Sequence, residues 1–330
     1  MSARNFVATL SSLAVAATAL VATGQAAQAA PQPKPLPTGI AAANSGELAH
    51  VDVLSTSALP LGPVSITEVG LGHVTGSLTD GPVRSRATAV NLDASLLTGI
   101  DLSQILSTAT QTAPADNPTP TDGVTIPAFT IPPVAGAGVS SSTAHARWTN
   151  SCLPAATKVS TSRVTTADAE VLTVPGLGAL VNLPGTVYVD QSTTLAAAGR
   201  ALDARAVSSS TSSNIADINL FGDNVHIAVS KDPVLTATAS GVAGGASVEY
   251  SQPVLTVGVR GQADQVLDAA NDSLVLNVPD NPLLKLKLSL GAIENGTAAA
   301  DGTAASGHAN LLDIELGLGP VDVAKVALVP

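Results

Sequence analysis

The chain has 330 residues, of which 45% are hydrophobic and only 12% are charged, against roughly 25% charged residues in typical soluble domains. Acidic residues outnumber basic ones by 25 to 14, and the resulting net charge of -11 opposes binding to a phosphate backbone. Aromatic residues make up 2% of the chain, too few to build stacking platforms for single-stranded bases. These values argue against nucleic acid as a partner.

The amino-terminal residues have the pattern of a secretory signal peptide. A basic residue precedes an uncharged apolar segment, residues 6–23, and residues 27–29 form the small-x-small tripeptide of a signal peptidase site. We predict a signal peptide over residues 1–29, cleaved between Ala29 and Ala30, and hence a secreted, extracellular or envelope-associated protein. The alternative is an uncleaved amino-terminal anchor; the mature chain is predicted to have no membrane span.

A Pro-rich linker is predicted over residues 30–46, because alternating prolines block both helix and ladder pairing. We expect a β-rich region to begin at Glu47 and to run to residue 330. The sequence leaves open whether this region is one body or two packed lobes, 47–200 and 201–330.

The chain contains a single cysteine, Cys152, so it cannot form an intramolecular disulfide. A small free Cys is commonly a buried apolar residue. The alternatives are a bond to a partner chain and a role as a nucleophile.

Apolar residues beyond Glu47 recur with a period of two more often than with a period of 3.6. The alternation is clearest in residues 225–229, 255–259 and 284–290, each of which predicts a strand with one buried face. Lys285 and Lys287, on the open face of the last segment, are typical of an edge strand.

Turn signals separate the strand-like segments, and Asx-Gly pairs supply the positive φ of tight hairpins. They lie at Asp80-Gly81, Gly222-Asp223-Asn224, Asp280-Asn281-Pro282, Asn295-Gly296 and Asp301-Gly302. Together these patterns predict an all-β protein with little helix, whose antiparallel sheets form a sandwich or a barrel-like roll. We expect Ala, Val and Leu in a shallow core and Ser/Thr faces exposed to water.

Several segments depart from simple alternation. Residues 96–109 have the spacing of a short helix, and residues 194–206 combine helix-favouring Ala content with strand-like alternation. Residues 112–138 contain six prolines and predict an irregular loop or exposed insertion. We interpret the Gly-rich residues 241–245 as a flexible turn, and residues 183–186, superficially similar to a sorting signal, also as a turn.

A weak internal repeat links distant parts of the chain. Residues 61–69 are similar to 318–326, and the preceding segments 50–53 and 311–314 are also similar. A middle copy lies at 215–229. Each copy predicts a strand, a turn and a second strand, and the unequal spacing argues against a solenoid.

Two blocks carry a resemblance to a known family. Residues 204–222, followed by 225–229, resemble a motif of exported actinobacterial proteins of the choice-of-anchor P family. Residues 144–152 and the Ser/Thr-rich run that follows are similar to another block of these proteins, so the resemblance covers about residues 140–330. It implies a secreted or surface protein and transfers no catalytic residues.

Trp148 is the only tryptophan, and it follows Arg147. We predict that its side chain is buried; the alternative is a cation–π contact.

The sequence contains no pattern that predicts a catalytic residue, a cofactor site or a metal site. The histidines show no metal-ligand spacing and are predicted to lie on strand faces or in loops: His50, His73, His145, His226 and His308. No Gly-x-Ser-x-Gly elbow is present.

The leading hypothesis is therefore a non-enzymatic cell-surface or extracellular β-protein with a structural or interaction role toward an envelope component or extracellular partner. One alternative is a binder of a small apolar or lipid-like ligand in a β-barrel-like cavity. The other alternative is a secreted hydrolase.

Overall fold

The computed structural model describes most of the region that was predicted to be β-rich. The described residues are 41–53, 68–79, 81–93, 108–116, 121–123, 125–131, 135–149, 156–174, 178–197, 205–277, 284–319 and 321–329. Residues 1–29, the Ala29–Ala30 cleavage position, most of the predicted linker and Cys152 lie outside them.

The described secondary structure consists of strands. The first eight are β1 (Ala42–Gly46), β2 (Ala49–Val53), β3 (Glu68–Leu78), β4 (Ser85–Asp93), β5 (Thr108–Ala113), β6 (Thr121–Asp122), β7 (Phe129–Ile131) and β8 (Ala135–Ala137). The next eight are β9 (Ser140–Ala146), β10 (Thr157–Val174), β11 (Gly178–Ala197), β12 (Arg205–Asn214), β13 (Asp217–Leu220), β14 (Val225–Val229), β15 (Val234–Ala239) and β16 (Ser247–Ser251). The last eight are β17 (Leu255–Val259), β18 (Gln265–Leu267), β19 (Ser273–Asn277), β20 (Leu284–Leu290), β21 (Glu294–Ala298), β22 (Ala305–His308), β23 (Leu312–Leu318) and β24 (Val321–Leu328).

Two large antiparallel sheets form the body of the molecule. Sheet A has nine strands in the order β19-β20-β23-β24-β2-β3-β4-β5, with β1 also paired to β3. Sheet B has thirteen strands, eight of them in the order β16-β15-β12-β11-β13-β14-β17-β18, with β6 to β10 joined through β10. Neither sheet closes into a barrel, so the predicted all-β class is confirmed in its sandwich form. Both sheets contain strands from either side of residue 200.

One cluster of buried apolar residues spans both sheets. Sheet A contributes Leu286, Leu288 and Ile314, and sheet B contributes Ile227 and Val257. Leu, Val, Ile and Ala dominate the cluster, as predicted, and burial alternates along the strands, for example buried–intermediate–buried in β17. The period-two pattern therefore reports correctly which apolar side chains face the core.

The Ser/Thr faces, in contrast, are not generally exposed, and the prediction that they face water is wrong where the two sheets pack against each other. There β3 and β4 pack against β10, and β4 and β5 pack against β9. Polar side chains of this interface are buried: Ser85, Asn91, Gln111, Ser140, Ser142, Ser160, Ser162, Thr166, Gln191 and Thr193. Ser and Thr side chains are small, so the two sheets can pack closely, and their hydroxyl groups can donate hydrogen bonds to backbone carbonyls. These hydroxyl groups can therefore be buried without losing hydrogen bonds.

Gln191 is the centre of one such buried network. Its Nε2 donates to the Ser162 Oγ at 2.8 Å, the Ser160 Oγ at 3.1 Å and the Thr75 carbonyl at 3.1 Å. The Ser160 Oγ in turn donates to the Arg86 carbonyl at 2.8 Å. These bonds connect β10 and β11 of sheet B to β3 and β4 of sheet A.

The three strands with the clearest predicted alternation are confirmed as β14, β17 and β20. The assignment of Lys285 and Lys287 to an edge strand is wrong, because β20 lies between β19 and β23. Both lysines are nevertheless exposed, and Lys287 pairs with Glu315 on β23 at 3.1 Å. Pairing with an acidic residue on the neighbouring strand explains a lysine on this open face without any need for edge protection.

Segment boundaries differ from prediction in two places. The predicted linker ends at residue 46, but Ala42–Gly46 form β1, so the β-rich region begins earlier than Glu47. The Pro-rich residues 112–138 are not an exposed insertion, because they contain β6, β7 and β8, and Ile126 and Ile131 are buried. Because none of the prolines falls within β6 or β8, the backbone of these short strands can pair with β9 and β10, respectively.

The described part of the helix-or-strand segment 194–206 is strand, in β11 and β12. Of the predicted short helix at 96–109, only Thr108 and Ala109 are described, and both belong to β5. Strand pairing with β4 determines the conformation of these two residues.

Turn predictions are partly confirmed. Residues 222–224 connect β13 to β14, residues 301–302 connect β21 to β22, and residues 241–245 connect β15 to β16. Asn295-Gly296 is instead a register irregularity inside β21, and residues 183–186 lie inside β11 opposite Asp168. In both places the positive φ creates a bulge rather than a chain reversal. Asp80 of the predicted Asp80-Gly81 turn and all of residues 280–282 lie outside the described residues.

The middle and last repeat copies are antiparallel strand pairs, and of residues 61–69 in the first copy only 68 and 69 are described, at the start of β3. The first and last, β2–β3 and β23–β24, are neighbours in sheet A, where β24 pairs with β2. The middle copy is the β13–β14 pair of sheet B.

Trp148 is 9% exposed and belongs to the buried apolar cluster, so its predicted burial is confirmed. A cation also lies over the ring, but it belongs to Arg84, whose guanidinium carbon is 5.7 Å from the ring centroid. The sequence suggests Arg147 as the cation–π partner of Trp148, because only residues adjacent in the chain can be recognised as neighbours from the sequence.

Candidate functional site

A cleft of about 490 Å³ lies between β1 and β22, over one part of sheet B. Its floor is the part of sheet B formed by β12 and β15, with Tyr250 of β16 at the side. One wall is β1 with Glu47, and the other is β22 with the residues that flank it. Val329 and His73 also line the cleft.

The floor consists of small and medium side chains without charge. Val207, Ser209 and Thr211 come from β12, and Leu235, Ala237 and Ala239 come from β15. Every residue of β15 is half-buried. This strand is therefore partly uncovered by the opposite layer, in contrast to the alternately buried strands β13 and β17.

Two histidines and a carboxylate meet at one end of the cleft. The Glu47 carboxylate accepts hydrogen bonds from the His50 Nδ1 at 3.1 Å and the His73 Nδ1 at 3.2 Å. A carboxylate can only accept, so each imidazole carries its proton on Nδ1 in this arrangement. The second nitrogen of His50 lies 3.6 Å from an Asp52 carboxylate oxygen.

The Glu47 cluster was missed by sequence reasoning. His50 follows Glu47 by three residues, which is a detectable local signal, but the pattern is not specific. His73 comes from β3, and it reaches Glu47 because β1 and β2 both pair with β3 in the same register. That register is a tertiary property.

A second polar cluster surrounds Tyr250 near the opposite wall. The Tyr250 hydroxyl donates to the Asn310 carbonyl at 2.7 Å, and the Asn310 Nδ2 donates to the Asp313 Oδ1 at 2.8 Å. Burial raises the pKa of the Tyr250 phenol, and the charge of Asp313 raises it further. The phenol is therefore fixed as a neutral donor at the side of the cleft.

Asp313 and Glu315 are alternate residues of β23, and the pKa values of their carboxyl groups are shifted in opposite directions. Burial raises the pKa of Asp313, and the charges of Glu294 and Glu315 add to it, while the Asn310 hydrogen bond partly opposes them. The hydrogen bond from Lys287, together with the charges of Lys287 and Lys325, lowers the pKa of Glu315. Ionised Asp313 thus costs stability, and ionised Glu315 contributes stability.

We expect Asp313→Asn to raise the melting temperature at pH 7 and the gain to shrink as the pH falls. A raised native pKa means that the ionised carboxylate destabilises the fold at neutral pH, and protonation removes that cost. Thermal unfolding followed by circular dichroism from pH 7 to about pH 3 measures the difference.

The matched control is Glu315→Gln, which changes the next outward-facing residue of the same strand. We expect it to lower stability at pH 7 by less than about 1 kcal/mol, because the carboxylate pairs with two partly exposed lysines. This loss should disappear as the pH falls through the lowered pKa of Glu315. A lower melting temperature for Asp313→Asn at pH 7 would contradict the assignment.

The other predicted histidines are not brought together. His226 is exposed on β14, with Asn219 Oδ1 at 2.8 Å from its Nδ1, while His145 lies on β9 and His308 lies on β22. Among the described residues, no group of three or more His, Cys, Asp or Glu side chains has the geometry to hold a metal ion. In the same residues, no helix is long and apolar enough to cross a membrane.

Comparison with protein-family models, curated proteins and solved structures gives no match for this chain.

Proposed function

We propose that this is an exported, non-enzymatic β-protein of the cell surface or extracellular space, with an interaction role, and that it binds its partner in the cleft between β1 and β22. The observation that carries the proposal is the cleft of about 490 Å³, which is within the roughly 300–1,000 Å³ of typical ligand sites. Its uncharged floor and few convergent polar groups are typical of a binding surface.

The exported setting is supported by sequence features. The signal-like residues 1–29 and the resemblance of residues 140–330 to the choice-of-anchor P family both favour it. The test is intact-mass spectrometry of the protein from separated culture-medium, cell-envelope and cytoplasmic fractions. A species that begins at Ala30 in either fraction supports export, and an intact chain confined to the cytoplasm contradicts it.

A second candidate is the binding of a small apolar or lipid-like ligand in the same cleft. The apolar side chains of the floor, Val207, Leu235, Ala237 and Ala239, favour this candidate. Burial of apolar ligand surface against them contributes about 25 cal/mol per Å².

Replacement of Ala237 by Trp tests whether the cleft binds ligands at all. The indole fills the floor, so we expect Ala237→Trp to weaken binding of the uncharged apolar dye Nile red at least about tenfold. Fluorescence titration measures the dissociation constant. An uncharged probe avoids repulsion by the net charge of -11.

The matched control is Thr236→Trp, which places the same side chain one residue earlier on β15. Successive strand residues point to opposite faces, so this indole lies outside the cleft and should leave dye affinity unchanged. Equal dye affinity in the wild type and both variants would contradict the proposed site.

A further inference from the structure

The walls and the floor of the cleft present different parts of their strands. On the floor, β12 and β15 contribute every second residue, which is the pattern of strands seen face-on. In the walls, all residues of 41–47 and of 303–309 line the cleft. A strand that contributes successive residues presents its edge, where its backbone amides and carbonyls lie.

The spacing of the two walls follows from the packing of the layers. β3 packs against β10 and β11, β1 packs against β11 and β12, and β22 packs against β15 and β16. In sheet B the order is β11-β12-β15-β16, so β1 and β22 lie two strand spacings apart. Two spacings are about 10 Å, which leaves room for one strand between the walls.

Both walls have one edge that pairs with no described strand. β1 pairs with β3 alone, and β22 pairs with β21 alone, among the residues that the structure describes. An unpaired edge is a template for another strand. The Ser45 carbonyl accepts one hydrogen bond from the Thr211 Oγ1 at 3.1 Å, which leaves a second lone pair.

The cleft lies beyond the end of β24 and is aligned with that strand. β1 and β2 lie end to end along β3, and β24 pairs with β2 on the side away from β3. A strand beside β1 would therefore lie end to end with β24, where Val329 already lines the cleft. Such a strand would extend the existing hydrogen-bonding of sheet A.

The charges of the lining indicate the chemistry of the occupant. The floor has no ionisable side chain, and the ionisable groups of the lining are Glu47, His73, Tyr250 and His308. Small floor residues such as Ser209 and Ala237 leave space for side chains at alternate positions. The complementary ligand is an extended, uncharged peptide stretch with small or β-branched side chains on one face.

We propose that the cleft binds an extended peptide segment of a partner protein as an added β-strand between β1 and β22. This proposal rests on the proposed interaction role of the cleft. Main-chain hydrogen bonds to the strand edges supply affinity, and alternate side chains on the β12–β15 floor supply selectivity.

The experiment is selection of a display library of random nine-residue peptides against the full mature chain, with Ala237→Trp as the counter-selection target. We expect enriched peptides to bind the wild type at least tenfold more tightly than Ala237→Trp and to bind Thr236→Trp as tightly as the wild type. Each enriched peptide is then synthesised with N-methyl groups at alternate amides, in both phases. Methylation in at least one phase should weaken binding at least tenfold, because it removes backbone donors while the side chains remain.

Hydrogen exchange supplies an independent backbone measurement. Peptide binding should slow amide exchange in Ala42–Gly46 or Ala305–His308. Peptides that are insensitive to N-methylation in both phases, or a selection that yields no peptide sensitive to Ala237→Trp, would overturn strand addition. In either of these cases, weaker Nile red binding by Ala237→Trp than by the wild type would mean that only the peptide inference fails. Equal Nile red affinity of Ala237→Trp and the wild type would mean that the proposed function fails as well.

Discussion

Trp148→Ala should destabilise the fold by about 3–5 kcal/mol, the usual cost of removing a large aromatic side chain from a core. Trp148 is 9% exposed and belongs to the apolar cluster shared by the two sheets. Its removal leaves a cavity that the surrounding strands cannot fill without breaking their pairing. Urea unfolding followed by far-ultraviolet circular dichroism measures the change, since the only tryptophan is lost from the variant.

Two control variants separate ring burial from the cation contact. Trp148→Phe retains most of the buried area and should cost clearly less than Trp148→Ala. Arg84→Ala removes the guanidinium over the ring and should cost about 1 kcal/mol. An unchanged unfolding midpoint in Trp148→Ala would place this side chain outside the core.

Gly76→Ala should also destabilise the protein, by about 1–3 kcal/mol, although it adds only one methyl group. A Cβ at position 76 would overlap the side-chain amide of Gln191. That amide is buried and bonded to Thr75, Ser160 and Ser162, so it cannot move without loss of hydrogen bonds. Urea unfolding measures the cost.

A double-mutant cycle tests the mechanism. Gln191→Ala alone should cost about 2–3 kcal/mol through lost packing and hydrogen bonds. In the double variant the new methyl group enters space that Gln191 has vacated, so we expect coupling of at least about 1 kcal/mol. Additive costs would contradict the overlap. Gly81→Ala, in the bend before β4, is the control, because a Cβ there would approach no heavy atom closer than 3.4 Å, and it should change stability by less than about 0.5 kcal/mol.

The Gln191 network also bears on the cleft. It fixes β3 against β10 and β11, and β3 in turn holds β1 in place as a wall. Asn44 of β1 adds bonds to sheet B, because its Nδ2 donates to the carbonyls of Ser192 and Ser210 at 3.2 and 3.3 Å. The wall is thus held from both layers, which is the pre-organisation that a strand-binding site needs.

The all-β class could be predicted from the amino-acid sequence, and so could the buried face of strands such as β14, β17 and β20. Both follow from local physics, since a period of two places alternate side chains on opposite faces and Asx-Gly pairs allow tight reversals. The same reasoning failed for Lys285 and Lys287, because a charged open face does not reveal whether the strand has one neighbour or two.

The burial of polar faces and the position of the candidate site depend on tertiary contacts. Ser160 and Ser162 have the same local pattern as exposed serines, and only the approach of β3 and β4 buries them. Glu47 meets His73 through the pairing register of β3, and the cleft exists because β1 and β22 cover different strands of sheet B. These features depend on contacts between residues far apart in the chain, which local periodicity does not encode.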